Sequence, residues 1–201
     1  LGTTLMKRLL KGKDLLQDSF IIPVDLHKEL FNADLETKNR ADDLLVDIHP
    51  KSSEIVFTVI EIKCRQSLSD DQRADLQSQM MLQINNTVEA LRLQFEPDNE
   101  HLRLDQELKV IELQSLLMFY LKRAHRYGYL CEDAARENEA FIQQLRKNNY
   151  SIRFKKLGLI FEFKGDHLQK KEIMYSGDEE TVFYTMGKPM IDRILDEGAS
   201  L

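Results

Sequence analysis

Three side chains of this sequence sit at spacings that suit shared chemistry: an acid from the pair Asp42-Asp43, then Glu61, then Lys63 two residues further on. Two carboxylates converging on one point hold a hard cation such as Mg²⁺, which takes oxygen ligands, keeps several waters and is commonly bound by one or two acids plus a substrate phosphate. Hydrolysis of a phosphodiester needs charge neutralisation on the phosphate oxygens and a water made nucleophilic near neutral pH, and the cation supplies both. An ammonium beside it can orient or deprotonate that water, or face the charge that builds on phosphorus. The backbone carbonyl of Ile62, between the Glu and the Lys, would be a further oxygen ligand.

Such a set needs a rigid support, and the sequence offers a hairpin. Residues 42–48 and 55–63 read as strands separated by His49-Pro50-Lys51-Ser52-Ser53-Glu54, a stretch of turn chemistry. Both alternating faces of the second strand are apolar, Ile55, Phe57 and Val59 on one and Val56, Thr58, Ile60 and Ile62 on the other, as in a strand covered on both sides. With the turn centred on Ser52, Asp43 lies directly opposite Glu61 on one face, about 5 Å away. A slip of one residue puts Asp42 there instead. Asp43 is the preferred partner and Asp42 the alternate. Asp47 shares the parity of Asp43 but stands roughly 13 Å along the strand, where solvating an edge or loop is its ordinary role.

The flanking segments follow the same reading. Residues 3–17 suggest an amphipathic helix, 20–24 an edge strand marked by Pro23, and 25–40 an irregular or briefly helical stretch. Ser69-Asp70-Asp71-Gln72 opens a helix whose apolar stripe, Leu76, Met80, Ile84, Val88 and Leu91, runs to about residue 95. Gln79, Gln83 and Thr87 line up at four-residue spacing beside that stripe. Helices over 105–127 and 132–147 come next, then strands near 151–157, 159–163 and 181–186 and a closing helix near 189–196. The order predicts a single α/β domain over 1–201, a mixed central sheet flanked by helices with additional helices inserted between the core strands.

Composition narrows the classes. With 201 residues and 42% hydrophobic content the chain can bury one sizeable core, and 4 prolines and 8 glycines leave no low-complexity linker. No apolar run approaches the ~20 residues of a bilayer span and no signal peptide opens the chain, so a soluble, cytoplasmic protein without membrane contact is expected. Cys64 and Cys131 are far apart, with no CxxC partner, and read as reduced, partly buried thiols. The five histidines never take zinc-ligand spacing. No Walker loop, GxGxxG, GxSxG or HExxH is present. The net charge of −6 matters for a phosphodiester substrate, because non-specific affinity for nucleic acid comes from Lys and Arg on phosphates. Alone, the domain should grip DNA weakly. Leu1 in place of an initiator Met suggests a piece of a longer polypeptide.

The segments Ala41-Asp42-Asp43-Leu44-Leu45-Val46 and Phe57-Thr58-Val59-Ile60-Glu61-Ile62-Lys63, followed directly by a helix, resemble the split signature of the PD-(D/E)xK nuclease superfamily over residues 40–95. The resemblance implies a restriction-endonuclease-like fold and a Mg²⁺-dependent DNA endonuclease, with Mn²⁺ able to substitute. Asp43, Glu61 and Lys63 would be catalytic, and Asp43, Glu61 and the Ile62 carbonyl would hold the metal. By the same resemblance Gln83, with Gln79 next, packs beside the metal and contacts the phosphate or the water. The first-helix acid common in the superfamily has Asp14, Asp18 or Glu29 as counterparts. A finer likeness rests on Ile60 to Arg65, Leu82 to Thr87 and Leu116 to Gly128. These segments are similar to nuclease domains attached to HerA/FtsK-like DNA-translocating ATPases of bacterial restriction and antiviral defence systems, including phosphorothioation-dependent restriction. The likeness implies an ATPase in the same chain or complex that holds the DNA, and leaves room for a homo-oligomer.

Basic residues cluster twice, at Lys122, Arg123, His125 and Arg126 and at Arg146, Lys147, Arg153, Lys155 and Lys156, as DNA-backbone contacts or as solvated surface. Three other readings compete with a nuclease. Glu61 and Lys63 can be a surface ion pair at a strand end. The domain can be a catalytically silent relative that binds DNA or docks a partner. An unrelated interaction domain with a coincidental Glu-x-Lys would put Asp43 and Glu61 on opposite sheet faces.

Overall fold

A computed structural model of the protein describes residues 1–12, 16, 18–27, 40–97, 105–147 and 150–197. Helix α1 (Gly2–Gly12) precedes an antiparallel meander of β1 (Ser19–Pro23), β2 (Asp43–His49) and β3 (Glu54–Arg65). Three helices follow, α2 (Asp70–Phe95), α3 (Gln106–Arg126) and α4 (Glu132–Gln143). The chain then returns to the sheet as β4 (Ser151–Glu162), β5 (Gln169–Ser176) and β6 (Glu179–Met186), and α5 (Lys188–Glu197) ends the described part. The sheet order is β1-β2-β3-β4-β6-β5, with β3, β4 and β6 parallel to one another and the other three pairings antiparallel. This is an α/β fold with a mixed six-stranded sheet flanked, among the described residues, by five helices.

The alternation read in β3 divides the core. Ile55, Phe57 and Val59 face one side with Leu44, Val46 and Ile48, against Ile84, Val88, Leu91 and the apolar face of α3. Ile60 and Ile62 face the other with Leu45, against α1 and α5. Central strands buried on both faces tolerate a carboxylate only where something compensates it. Glu61 is the residue in β3 that has to be accounted for.

Two expectations about the strands need correction. The pair 151–157 and 159–163 is one strand, β4, which passes straight through Gly158. A Cβ at Gly158 would lie 2.2 Å from the Phe183 ring, so the glycine gives that ring its seat on the sheet and is no turn. β5 had no counterpart in the apolar pattern: nearly all of it, from Gln169 through Lys170, Lys171 and Glu172, is exposed at the sheet edge. The expected extension of the first helix past residue 12 and the irregular stretch 28–39 lie outside the described residues.

Candidate active site

The β2–β3 turn decides which acid meets Glu61. His49 pairs with Glu54, so the loop is the four residues 50–53. A 3₁₀ turn over Pro50–Ser52 leads into Ser53, whose φ of 52° and ψ of 41° are left-handed. A loop with an even residue count shifts the pairing by one from a turn centred on Ser52. Asp43 therefore pairs with Ile60, where the ladder ends, and Asp42 just before it gives its N–H to the same Ile60 carbonyl at 3.1 Å and brings its carboxyl within hydrogen-bonding reach of Glu61. The preferred partner Asp43 is corrected to the alternate, Asp42, because side-chain direction alternates along a strand. Asp43 and Glu61 do point to opposite faces, the arrangement expected of a coincidental motif, and the reading of a site now stands on Asp42.

Asp42, Glu61 and Lys63 share the face covered by α2. Asp42 Oδ2 accepts from the Ile62 N–H at 2.7 Å, which fixes its carboxylate at the point where β2 begins and β3 runs on. N–H and C=O of one strand residue point the same way, so the Ile62 carbonyl is directed to that same edge. Lys63 Nζ donates to Glu61 Oε1. Glu61 is fully buried while the Lys63 side chain is 25% exposed, so the ammonium lies between the acid and solvent. A surface ion pair does not describe this geometry.

The electrostatics are unbalanced. Burial raises the Asp42 carboxyl, against the Ile62 N–H and Lys63. Burial and the neighbouring Asp42 push Glu61 up to about 7, with Lys63 pulling the other way. The two carboxyls are within hydrogen-bonding reach of each other, which is a favourable contact only when one proton lies between them. Glu61 Oε2 is buried and meets no donor among the described residues. On β4, Gly158 pairs with Glu61, and the Phe183 ring packs over that glycine with Met80 in contact range, so an apolar wall stands beside the acid.

Helix α2 holds the approach to Asp42. The Ala41 N–H donates to Thr87 Oγ1 at 2.8 Å, and Gln83 Nε2 donates to the Arg40 carbonyl at 3.0 Å. Gln83 thus fixes the backbone two residues before Asp42, whereas Gln79 is exposed on the helix. The capping box of Ser69 and Gln72 starts α2 where the sequence places it. Asp43, turned to the α1 side, is pushed up to about 6 by burial and Asp42, with Lys7 and a Thr3 hydrogen bond opposing. Its partners make it a docking point for α1.

Asp25, in a 3₁₀ turn at Val24–Leu26, is an acid the sequence reading passed over. It is exposed and close enough to raise both Asp42 and Asp43. The Val24 N–H donates to the Asp42 carbonyl at 3.0 Å, carrying the β1–β2 ladder one step past Pro23. Counting that antiparallel register onward from Pro23 would have found it. Asp14 and Glu29 lie outside the described residues, and Asp18 acts on Asp47. Asp47 faces the α1 side, raised by burial and eased by Lys155 and His49.

Four of the nine basic residues singled out are paired with acids of the chain. Lys122 reaches Glu139 at 3.5 Å, His125 reaches Glu132 at 2.9 Å, and Arg153 bonds Glu54. Lys156, read as surface, is buried against Asn85 and Glu179. Cys64 is half-buried and Cys131 exposed, both free thiols. Among the described residues no helix is long and apolar enough to cross a membrane, and no group of three or more His, Cys, Asp or Glu is set as a metal cage. Comparison with models of known protein families, with curated proteins and with solved structures gives no match to the chain.

Proposed function

We propose that this domain is a metal-dependent DNA endonuclease of restriction-endonuclease-like fold, with Asp42, Glu61 and Lys63 as its working residues. The observation that carries the reading is the buried Glu61 carboxyl beside the half-buried Asp42 carboxyl, with one oxygen, Glu61 Oε2, that meets no donor among the described residues. Buried polar groups are mostly hydrogen-bonded, and an unserved carboxyl oxygen beside a second acid on a central strand supports a functional site. The donor set is hard oxygen, from Asp42, Glu61 and the Ile62 carbonyl, which fits Mg²⁺ or Mn²⁺ completed by waters and a substrate phosphate. Bound there, the ion would supply charge neutralisation on the phosphate and a more acidic water.

The residues of the chain do the rest. Asp42 is oriented by the Ile62 N–H, and Thr87 and Gln83 anchor the backbone that delivers it. Glu61 holds a proton below about pH 7 and must release it before it can act as a ligand. Lys63 fixes one Glu61 oxygen and presents its ammonium to the solvent side, where an incoming phosphate would meet it. The Phe183 ring packs over Gly158, the β4 partner of Glu61, so the strand next to the acid is covered by apolar surface.

The net charge of −6 supports dependence on a partner, a DNA-translocating ATPase of a bacterial defence system in the same chain or complex, for grip on the DNA. The test is nicking of supercoiled plasmid in Mg²⁺, with calorimetric titration of Mn²⁺ alongside. Asp42→Ala, Glu61→Ala and Lys63→Ala should each lose cutting, and the first two should lose the metal isotherm. Cutting by all three at the parent's rate overturns the reading. A parent that neither cuts nor binds metal would be the silent relative that binds DNA or docks a partner.

A further inference from the structure

One cavity lies a single strand away from the candidate acids. It follows the outer edge of β1, the sheet's end strand, between the C-terminal turns of α3 and the Lys7 side chain of α1. Its volume is about 150 Å³, a size that in a protein interior takes a single six-membered ring. Tyr120, Tyr127 and Tyr129 supply aromatic faces, and Arg123 and Lys7 stand at the rim. Tyr127 and Tyr129 are 64% and 43% exposed, so their rings are open to a ligand. Arg123 lies 5.9 Å over the Tyr127 ring, while His27 meets Tyr120 edge-on and bonds its hydroxyl at 2.8 Å.

The position ties this cavity to the acids. Pro23 lines it and pairs with Asp43, Leu26 lines it one residue after Asp25, and Lys7 is within electrostatic reach of Asp43. Strands lie about 4.8 Å apart, so a ring in the cavity would be one or two nucleotides from a phosphate at Asp42. The net charge of −6 disfavours holding a duplex through its backbone charge alone. A strand held by stacking, with two cations for the flanking phosphates, depends less on that charge.

Building on the nuclease reading, we propose that this cavity takes an unstacked nucleobase of a single-stranded or locally unpaired DNA, stacked on Tyr127 and Tyr129 with its phosphates on Arg123 and Lys7. A duplex cannot deliver a base there without first unstacking it, so the substrate class is single-stranded DNA, a frayed end or a bubble.

The test is fluorescence anisotropy on the whole chain in EDTA, where the probe stays intact, using a labelled single-stranded oligonucleotide, its duplex and a version with abasic sites. Single strands should bind more tightly than the duplex, and removal of bases should weaken binding. Tyr127→Ala and Tyr129→Ala should each lose about 5- to 100-fold, with Tyr127→Phe close to the parent, because the ring face rather than the hydroxyl is used. Thermal melts confirm that the variants fold. Equal affinity for duplex and single strand, or alanine variants that bind like the parent, overturns the proposal. The nuclease reading fails separately, through Mg²⁺-dependent cutting that survives loss of Glu61, and that result leaves the base-binding measurement standing.

Discussion

Two polar clusters are packed under the same helix on the same face of the sheet, and they are built in opposite ways. At the β4–β6 side, Lys156 Nζ meets Asn85 Oδ1 at 2.6 Å and the Glu179 carboxylate, whose other oxygen takes Arg92 at 3.0 Å. Hydrogen bonds from Lys156 and Arg92 hold the Glu179 carboxyl below its usual range. At the β2–β3 side, Asp42 and Glu61 are both raised, mainly by burial, and Glu61 Oε2 has no donor among the described residues. One cluster is complete with the groups the chain supplies, whereas the other gains from something added. That difference separates an ion pair satisfied within the chain from a candidate site more firmly than burial does, since each cluster has one buried member, Lys156 in the first and Glu61 in the second.

Swapping the two neighbouring aspartates tests the contrast hardest. Asp42→Asn should lower plasmid cutting by about 10²- to 10³-fold, in the range of lost transition-state charge stabilisation. Asp43→Asn should stay within about fivefold of the parent, a difference of roughly 1 kcal/mol, once both are shown folded by circular dichroism. Equal loss in both would return Asp43 to the site and dissolve the distinction between the two faces. The completed cluster should show the reverse profile. Glu179→Gln leaves the Lys156 ammonium short of its carboxylate and should cost about 2 kcal/mol in urea melts. That is less than a fully buried pair, because Glu179 is half exposed. Cutting at a temperature where the variant is folded should be unaffected, and a cutting defect there would make this cluster part of the site.

The smallest effect is the most diagnostic of unbalanced charge. Glu61, pushed up to about 7, keeps a proton in the folded chain that the unfolded chain releases near pH 4.5, so the folded state binds more protons between those values. Stability contributed by that proton is full below about pH 4.5 and is lost as pH rises through about 7. Glu61→Gln mimics the protonated acid, and in EDTA at pH 8 it should melt higher than the parent, by on the order of 1 kcal/mol. At pH 5 the two should converge. If the parent is the more stable at pH 8, the carboxylate is already satisfied and the case for an added cation falls.

Much of the scaffold was legible because it rests on periodicity. The two-faced apolar pattern of β3 and the stripe from Leu76 to Leu91 placed strand and helix within a residue or two. What failed depended on geometry that residue types do not carry. The register turned on whether the loop holds an odd or even number of residues, and Pro-Lys-Ser-Ser is compatible with either. Gly158 reads as a break in any strand, and only the Phe183 ring two strands of sequence later explains it. The site was half legible: Glu61 and Lys63 sit where the motif puts them, while Asp42 and Asp43 could not be told apart without the turn. Asp25 stayed hidden because its closeness to Asp42 is created by the β1–β2 pairing.

The strand that pattern reading missed has a bearing on how the protein behaves at high concentration. β5 closes one side of a six-stranded sheet, and an open edge is a template for another copy's strand. Lys170, Lys171 and Glu172 in succession put charge on both faces of that edge, and a second molecule arriving in antiparallel register would have to bury it. The same charges that remove any apolar signature from β5 therefore cap the sheet against fibrous growth. Neutral replacements there would be the ones to turn the preparation turbid.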